Sequence, residues 1–145
     1  GFKFVYSLYS ADVLAEKGSE LFDDGSYEQA LHFYSKAINK NPLEPRYFTG
    51  RAKIYIALTA GETESNIRTY KLLALEDLRR AYSLNPNNLL TVKGTISLYY
   101  FLATKDLTLP AGADNVDLEF MEVTETFYRN IWNASPRPYG YGNKC

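Results

Sequence analysis

Few side chains in this sequence are of the types that carry out catalysis or hold metal ions. The only histidine is His32 and the only cysteine is Cys145, so no set of zinc ligands can be assembled. We interpret the acidic pairs Asp23–Asp24 and Glu76–Asp77 as a turn and a solvated helix face rather than as acid–base pairs. Neither a glycine-rich phosphate loop nor a nucleophile motif occurs. The sequence therefore predicts a non-enzyme, with no catalytic residue, no metal and no cofactor.

Charge and composition narrow the class of partner. The 145 residues are 46% apolar and 15% aromatic, enough to form a packed core rather than a disordered chain. The net charge of −1 provides no basic field for nucleic acid or anionic lipid. No stretch approaches the roughly 18 apolar residues of a membrane span. We therefore expect protein partners, without nucleic-acid binding or membrane insertion.

One spacing of small and large residues occurs three times. Residues four and three apart share one face of a helix, and a proline five residues later ends that helix. Small residues beside a large one let a neighbouring helix approach closely. A unit that recurs in this way cannot bury its apolar face alone and must stack on its copies. The three copies are Ala30, Tyr34, Ala37 and Pro42; Ala74, Leu78, Ala81 and Pro86; and Thr124, Tyr128, Ile131 and Pro136.

Local signals predict the helices that position these residues in the N-terminal part of the chain. A helix capped by Asp12 is expected to run to about Asp24, where Gly25 provides a left-handed stop. Ser26, with Gln29 three residues later, predicts a capping box for a helix that ends near Lys40. Ahead of them, the aromatic segment 1–10 is predicted to be an ordered arm or a short strand.

The second half continues the pattern with longer connections. Pro45 begins a helix that is expected to end near Gly61, and a long helix follows the polar link 62–66. Asn88 caps the fifth helix. A loop over 105–115 precedes the sixth, which Asp114 or Asn115 caps. The Pro-, Gly- and Tyr-rich tail, 137–145, is expected to lack regular structure.

These residues resemble the tetratricopeptide repeat family, whose unit is a 34-residue helix–turn–helix. The resemblance covers about residues 11–136, with repeats at 11–44, 45–88 and 89–136. The second and third repeats carry extra residues around 59–68 and 104–117. The first repeat matches the family's signature most fully, at Leu14, Gly18, Leu21, Gly25, Tyr27, Ala30, Tyr34, Ala37 and Pro42.

The resemblance implies an all-α fold of antiparallel helix pairs, stacked as a short right-handed superhelix. Its concave groove would be lined by the first helix of each pair. Carried over by position, the predicted groove consists of Asp12, Ala15, Ser19, Phe22, Arg46, Thr49, Lys53, Ile56, Leu90, Lys93, Ser97 and Tyr100. This mildly basic and apolar lining favours an extended or helical segment with acidic and apolar side chains. The alternatives are a groove without a ligand and one covered by the chain's own tail.

Within this family, co-chaperones hold the acidic C-termini of Hsp70 and Hsp90 through a clamp of Lys, Asn, Asn, Lys and Arg. The sequence lacks all five clamp residues, so chaperone-tail binding by that mechanism is not expected. The five positions are occupied by Ala15, Ser19, Gly50, Leu90 and Gly94.

Two functional hypotheses follow for this chain. The first is a non-enzymatic interaction scaffold or adaptor that is a subunit of a larger multisubunit assembly, because long insertions, an aromatic arm and a tail suit a fixed subunit. The second is a peptide-receptor or co-chaperone domain that binds an acidic and apolar segment in its groove without the clamp. An intracellular location, cytoplasmic or organellar, is expected, and a start at Gly1 is compatible with removal of a targeting segment.

Overall fold

The predicted all-α class is confirmed by a computed structural model, which describes residues 1–134. The predicted tail, 137–145, lies outside the described residues. The helices of the described part are α1 (Phe2–Asp23), α2 (Tyr27–Lys40), α3 (Pro45–Ala57), α4 (Glu64–Leu84), α5 (Leu89–Leu102) and α6 (Leu118–Ala134).

The helices up to α5 pack as consecutive neighbours. The chain divides into two compact units, of which the first, Gly1–Leu102, holds α1–α5 and the second, from Ala103 onward, holds α6. In the first unit, α1 packs against α2 and α3 against α4. The pairs meet where α2 packs on α3 and α4 packs on α5, while α3 also contacts α1 and α5. Helices α1, α3 and α5 therefore lie side by side, which is the arrangement that the predicted groove requires.

The repeated spacing works because a tyrosine ring occupies the space left by two glycines. A Cβ atom built on Gly18 of α1 would lie 2.7 Å from Cδ2 of Tyr34, and one built on Gly50 of α3 would lie 2.5 Å from its Cε1. Real Cβ contacts are longer, so only glycine fits at either place. Tyr34 on α2 is thereby held between α1 and α3. The small positions of the first two copies are fully buried: Ala30, Ala37, Ala74 and Ala81.

Several helix ends form as their residues predict. Gly25 has a φ of +81°, and the amide of Ser26 donates to the carbonyl of Leu21 at 2.8 Å, which closes the C-terminus of α1. Pro45 occupies the first turn of α3. The Asn88 side chain accepts from the amides of Leu90 and Thr91, at 2.9 and 3.2 Å, and so caps α5.

Other ends differ from the sequence predictions. Helix α1 begins at Phe2 rather than near Asp12, so the first ten residues form neither a strand nor a separate non-helical arm. Their apolar residues have helical spacing, and Ser7 donates to the carbonyl of Lys40 at the end of α2. Ser26 stands at the N-cap of α2 but makes no side-chain cap bond, so the capping box is not formed. Helix α3 ends at Ala57, before Gly61.

The insertions take up different structures in the two units. In the first unit, α4 has 21 residues against 14 in α2, so much of the insertion adds helical turns. In the second unit, Asn115 is buried and does not cap α6. Its side chain accepts from the amide of Asp106 at 2.8 Å and donates to that residue's carbonyl at 2.9 Å. The loop before α6 is therefore organised around Asn115, and Asp117 is the residue whose carboxylate accepts from the amide of Phe120.

Candidate functional site

The predicted groove residues lie on α1, α3 and α5 of the first unit, at spacings of three and four that keep each set on one side of its helix. Contacts join the α1 and α3 sets directly: Asp12 to Arg46 at 3.4 Å, and the Phe22 ring to Lys53. The α5 set lies beside α3, where a Cβ on Gly94 would be 3.8 Å from Thr49. The α5 set, Leu90, Lys93, Ser97 and Tyr100, is exposed, as are Asp12, Ser19, Arg46 and Lys53; Ala15, Phe22 and Thr49 are half-buried.

Ile56 is the one predicted groove residue that the structure places in the core. It is only 6% exposed. Residues four apart share a helix face, and Ile56 continues the buried row of Phe48 and Ala52 on α3. The prediction of Ile56 as a groove residue is therefore wrong, because Ile56 stands at the edge of the α3 set and the packing of the first unit covers that edge.

A cluster of hydrogen-bonded charges lies where the α1 and α3 sets of the predicted groove begin. The hydroxyl of the buried Tyr47 donates to the carboxylate of Asp12. Arg46 contacts Asp12 at 3.4 Å and donates to Glu44 at 2.9 Å. Burial and the Asp12 carboxylate raise the pKa of Tyr47, so the phenol stays protonated and keeps donating. The positive charge of Arg46 is thus largely balanced by carboxylates of its own chain.

Lys53 and Lys93 provide the remaining positive charge of the groove. Both are exposed, and among residues 1–134 neither has a carboxylate within ion-pair distance. The ammonium of Lys53 lies 4.7 Å from the centre of the Phe22 ring, a cation–π contact that holds it over an apolar surface. Tyr100 on α5 is 49% exposed and adds a further aromatic surface. This arrangement suits a ligand that brings carboxylate and apolar side chains together.

The structure gives a steric reason for one of the missing clamp residues. The Asn of the family's clamp would stand at Gly50, where even a Cβ atom would lie within 2.9 Å of three atoms of Tyr34. Tyr34 thus fills the space that a side chain at this position would need. Burial raises the pKa of Tyr34. The Gly50 position is consequently used to pack α2 against α3.

Sequence reasoning missed a buried ion pair between α3 and α4. Asp77, interpreted above as part of a solvated face, is 3% exposed and accepts from Nε and Nη2 of Arg51, both at 2.8 Å. Arg51 also donates to Ser35 on α2 at 3.3 Å. The missed signal is spacing, since Asp77 follows Ala74 by three residues and precedes Ala81 by four, on the face of α4 that is buried.

An open cleft of about 450 Å³ adjoins this ion pair, away from the predicted groove residues. It is lined by Phe48, Arg51, Glu76, Asp77, Arg79, Arg80 and Ser83. Its charges are mixed, with three arginines and two carboxylates. Arg51 is already engaged within the protein, because its Nε and Nη2 atoms both donate to the carboxylate of Asp77.

None of the helices in residues 1–134 has the length and apolarity needed to cross a bilayer. Within residues 1–134, His, Cys, Asp and Glu side chains do not gather in threes or more at metal-binding distances.

Comparisons with known proteins find relatives that match part of this sequence. Human RNA polymerase II-associated protein 3 is 29% identical over 128 residues, which cover 72% of this chain and 19% of that protein. The Hsp70-Hsp90 organizing protein of Triticum aestivum is 40% identical over 55 residues, or 38% of this chain and 10% of that protein. The chain therefore spans about a fifth or less of the length of these relatives. No family model matches.

A solved structure extends the comparison to almost the whole chain. It is described as the first TPR of Spaghetti (RPAP3) bound to the HSP90 peptide SRMEEVD. The match has a TM-score of 0.57 at 22% sequence identity and covers 92% of this chain and 88% of that one. At this identity the match establishes the course of the helices, and the peptide belongs to the neighbouring protein.

Proposed function

We propose that this chain, a tetratricopeptide-repeat domain, is a peptide receptor of the co-chaperone type. The premise is that this is a protein-interaction fold. In this proposal the groove of α1, α3 and α5 receives a segment of a protein partner that combines acidic and apolar side chains. The observation that carries the proposal is the exposed Lys53 ammonium over Phe22, with Lys93 on the neighbouring helix α5.

The comparisons support this hypothesis better than the alternative of a scaffold subunit in a large assembly. One relative is named for Hsp70 and Hsp90, as their organizing protein. The similar repeat domain of Spaghetti is bound to an HSP90 peptide. Two of the features that favoured a fixed subunit now give that hypothesis less support. The segment 1–10 continues α1 instead of forming a separate arm, and the extra residues of the second repeat largely lengthen α4.

The proposed mode of recognition differs from a carboxylate clamp. A clamp reads the terminal carboxylate of a peptide through cationic and amide side chains, which are absent from all five positions here. Lys53 and Lys93 are instead able to receive side-chain carboxylates, while Phe22 and Tyr100 contact apolar side chains. The groove would therefore bind acidic residues within a segment, and a free C-terminus would add little.

The peptide SRMEEVD, which has two adjacent glutamates and a terminal aspartate, tests this mode directly. Binding is measured by fluorescence anisotropy with the peptide as the free acid and as the C-terminal amide. We expect the two forms to bind with affinities within about twofold of each other. They differ only in the charge of the terminal carboxylate, and an exposed charge without a close partner contributes little to binding. A large preference for the free acid would contradict recognition of side chains and restore the clamp mechanism.

Charge reversal locates the binding face. Lys53→Glu and Lys93→Glu should each weaken binding by about tenfold or more, a change of roughly 1.4 kcal/mol. The matched control is Lys36→Glu, because Lys36 is also exposed and lies 5.9 Å from the ring of Phe33 but sits on α2. If Lys36→Glu weakens binding as much as Lys53→Glu, attraction is nonspecific and the groove assignment fails. Absence of any binding, together with recovery of one stoichiometric assembly by affinity purification, would support the scaffold alternative.

A further inference from the structure

The solvent face of α1 carries an apolar stripe over its first turns. The stripe consists of Phe2, Tyr6, Tyr9 and Val13, which are 88%, 62%, 68% and 48% exposed, and Val5 flanks it at 64%. Such a row is unusual, because the outward face of a helix at a protein surface is ordinarily polar. A contiguous exposed apolar patch of this kind marks an interaction surface.

The stripe lies on the opposite side of α1 from its packed face. At about 100° of rotation per residue, Ala11 and Gly18 stand roughly 160–180° around the axis from Phe2. Both are buried against the rest of the unit. The hydroxyl of Ser7 donates to the carbonyl of Lys40, the last residue of α2, so α1 meets the end of α2 at Ser7. The stripe therefore does not belong to the core of the first unit.

We propose that a second copy of this chain packs antiparallel against the stripe. The stripe residues are spaced by four, three and four, and this order reads the same in both directions. A two-fold axis between two antiparallel α1 helices therefore makes every contact occur twice, because each stripe residue of one copy faces a different stripe residue of the other and the reverse pair is identical. In this register Tyr6 faces Tyr9 of the partner subunit, and Phe2 faces Val13 of the partner subunit, as in the alternating layers of a coiled-coil seam.

The extent of the stripe suits a weak pairing. With aromatic side chains of about 150–250 Å² each, the exposed fractions of the stripe present roughly 400–600 Å² per copy. Two copies would therefore bury about 800–1,200 Å², the size of a small, concentration-dependent interface. The next two positions of the same spacing are Glu16 and Glu20, so the apolar seam ends there. A segment of the same length and composition, namely the same segment of another copy, fits it.

Charge does not oppose the pairing. Lys3 is the only charged side chain among residues 1–10, and none of the stripe residues is charged. The two-fold arrangement thus brings no like charges into direct opposition within the seam. Interfaces are also enriched in tyrosine and phenylalanine, which three of the four stripe positions hold.

Sedimentation equilibrium of the 145-residue chain tests the pairing. The mass should rise with concentration from that of one chain to that of two. The double variant Tyr6→Glu with Tyr9→Glu should raise the dissociation constant by about 100-fold or more, since it places charges in the centre of the seam. The matched control is Phe4→Glu, because Phe4 is 62% exposed on the same turns but lies about 200° around the axis from Phe2. Circular dichroism checks that each variant keeps its helices.

Cross-linking tests the register. In a Cys145→Ser background, which removes the only cysteine, a Tyr6→Cys chain is mixed with a Tyr9→Cys chain under oxidation. A disulfide between the two different chains is expected, and a disulfide between two Tyr6→Cys chains is not. A chain that stays monomeric at every concentration overturns the proposal. So does a Phe4→Glu variant whose dissociation constant rises as much as that of the Tyr6→Glu and Tyr9→Glu double variant. Predominant linkage of identical chains overturns the antiparallel register. Binding of lipid vesicles by a monomeric chain would assign the stripe to a membrane surface instead.

Discussion

Arg51 and Asp77 form a buried ion pair in the first unit. The pair joins α3 to α4 through two hydrogen bonds of 2.8 Å, and the side chain of Asp77 is only 5% exposed. A buried carboxylate is tolerated because the guanidinium fork satisfies both of its oxygens. Removing the arginine would leave that charge buried without a partner, which costs far more than the pair itself contributes.

Arg51→Ala should therefore lower the free energy of unfolding by about 3–5 kcal/mol. The matched control is Arg46→Ala, whose side chain is 70% exposed and ion-paired to Asp12 and Glu44 at the surface. That variant should cost about 0–1 kcal/mol. Urea unfolding followed by circular dichroism measures both. Equal losses for the two variants would show that the Arg51 pair is as weak as a surface pair.

The deficit of Arg51→Ala should also depend on pH. Burial raises the pKa of Asp77, and the hydrogen bond from Arg51 partly opposes that rise. A carboxylate whose folded pKa exceeds its unfolded pKa stabilises the fold at low pH, and that contribution is lost as pH rises through the folded pKa. Without Arg51 the pKa of Asp77 rises further, so the deficit should be larger at about pH 7 than at about pH 4. A deficit that does not change between these pH values would contradict an unpaired buried carboxylate.

At the scale of helices, the N-termini of α2 and α5 differ in whether a side chain caps them. Both begin after a residue type that favours N-caps, Ser26 and Asn88. Only Asn88 accepts amide hydrogen bonds, at 2.9 and 3.2 Å, whereas Ser26 makes no side-chain cap bond. A favourable residue type at the cap position therefore does not establish that the bond forms.

Asn88→Ala should lower the free energy of unfolding by about 1 kcal/mol, because two amides at the start of α5 lose their acceptor. Ser26→Ala is the matched control and should change stability by no more than a few tenths of a kcal/mol, roughly the effect of a surface substitution. Thermal or urea unfolding of the two variants gives the comparison. A loss at Ser26 equal to that at Asn88 would mean that the Ser26 hydroxyl caps α2 in solution.

On the scale of the whole molecule, α1 contributes to two different surfaces. Asp12 and Ser19 face the predicted groove, and they stand about 80–100° around the axis from the stripe centred on Phe2. The packed face of α1, with Ala11 and Gly18, lies on the remaining side. Peptide binding in the groove and self-association through the stripe are therefore compatible on one helix.

The two surfaces should accordingly fail independently. The Tyr6→Glu and Tyr9→Glu double variant should bind SRMEEVD within about twofold of the unaltered chain, because the stripe and the groove do not share residues. Lys53→Glu should leave the sedimentation mass unchanged while it weakens peptide binding. Anisotropy and sedimentation on the same samples measure both properties. Loss of both functions in either variant would show that one surface depends on the other.

The helical repeat could be predicted from the sequence because its signals are local. The spacing of Ala30, Tyr34 and Ala37, the left-handed stop at Gly25 and the cap at Asn88 act within a few residues, and each is present in the structure. The groove residues on α1, α3 and α5 were instead carried over by position from the resemblance to the tetratricopeptide repeat family. Their use as a binding surface remains a proposal.

Only the tertiary structure decided which residues are buried between helices. Ile56 and Asp77 have the types and neighbours of a groove residue and a solvated acid, yet both are buried, because burial depends on which helix packs against that face. The close approach of Tyr34 to Gly18 and Gly50 is likewise a contact among three helices. The sequence by itself determined the periodicity of the first two repeats and some of their helix ends, such as those at Gly25 and Asn88, which depend on backbone geometry over a few residues. The partners of Arg51 and Tyr34, and the exposure of the α1 stripe, depend on distances between segments far apart in the chain, so they required the folded structure.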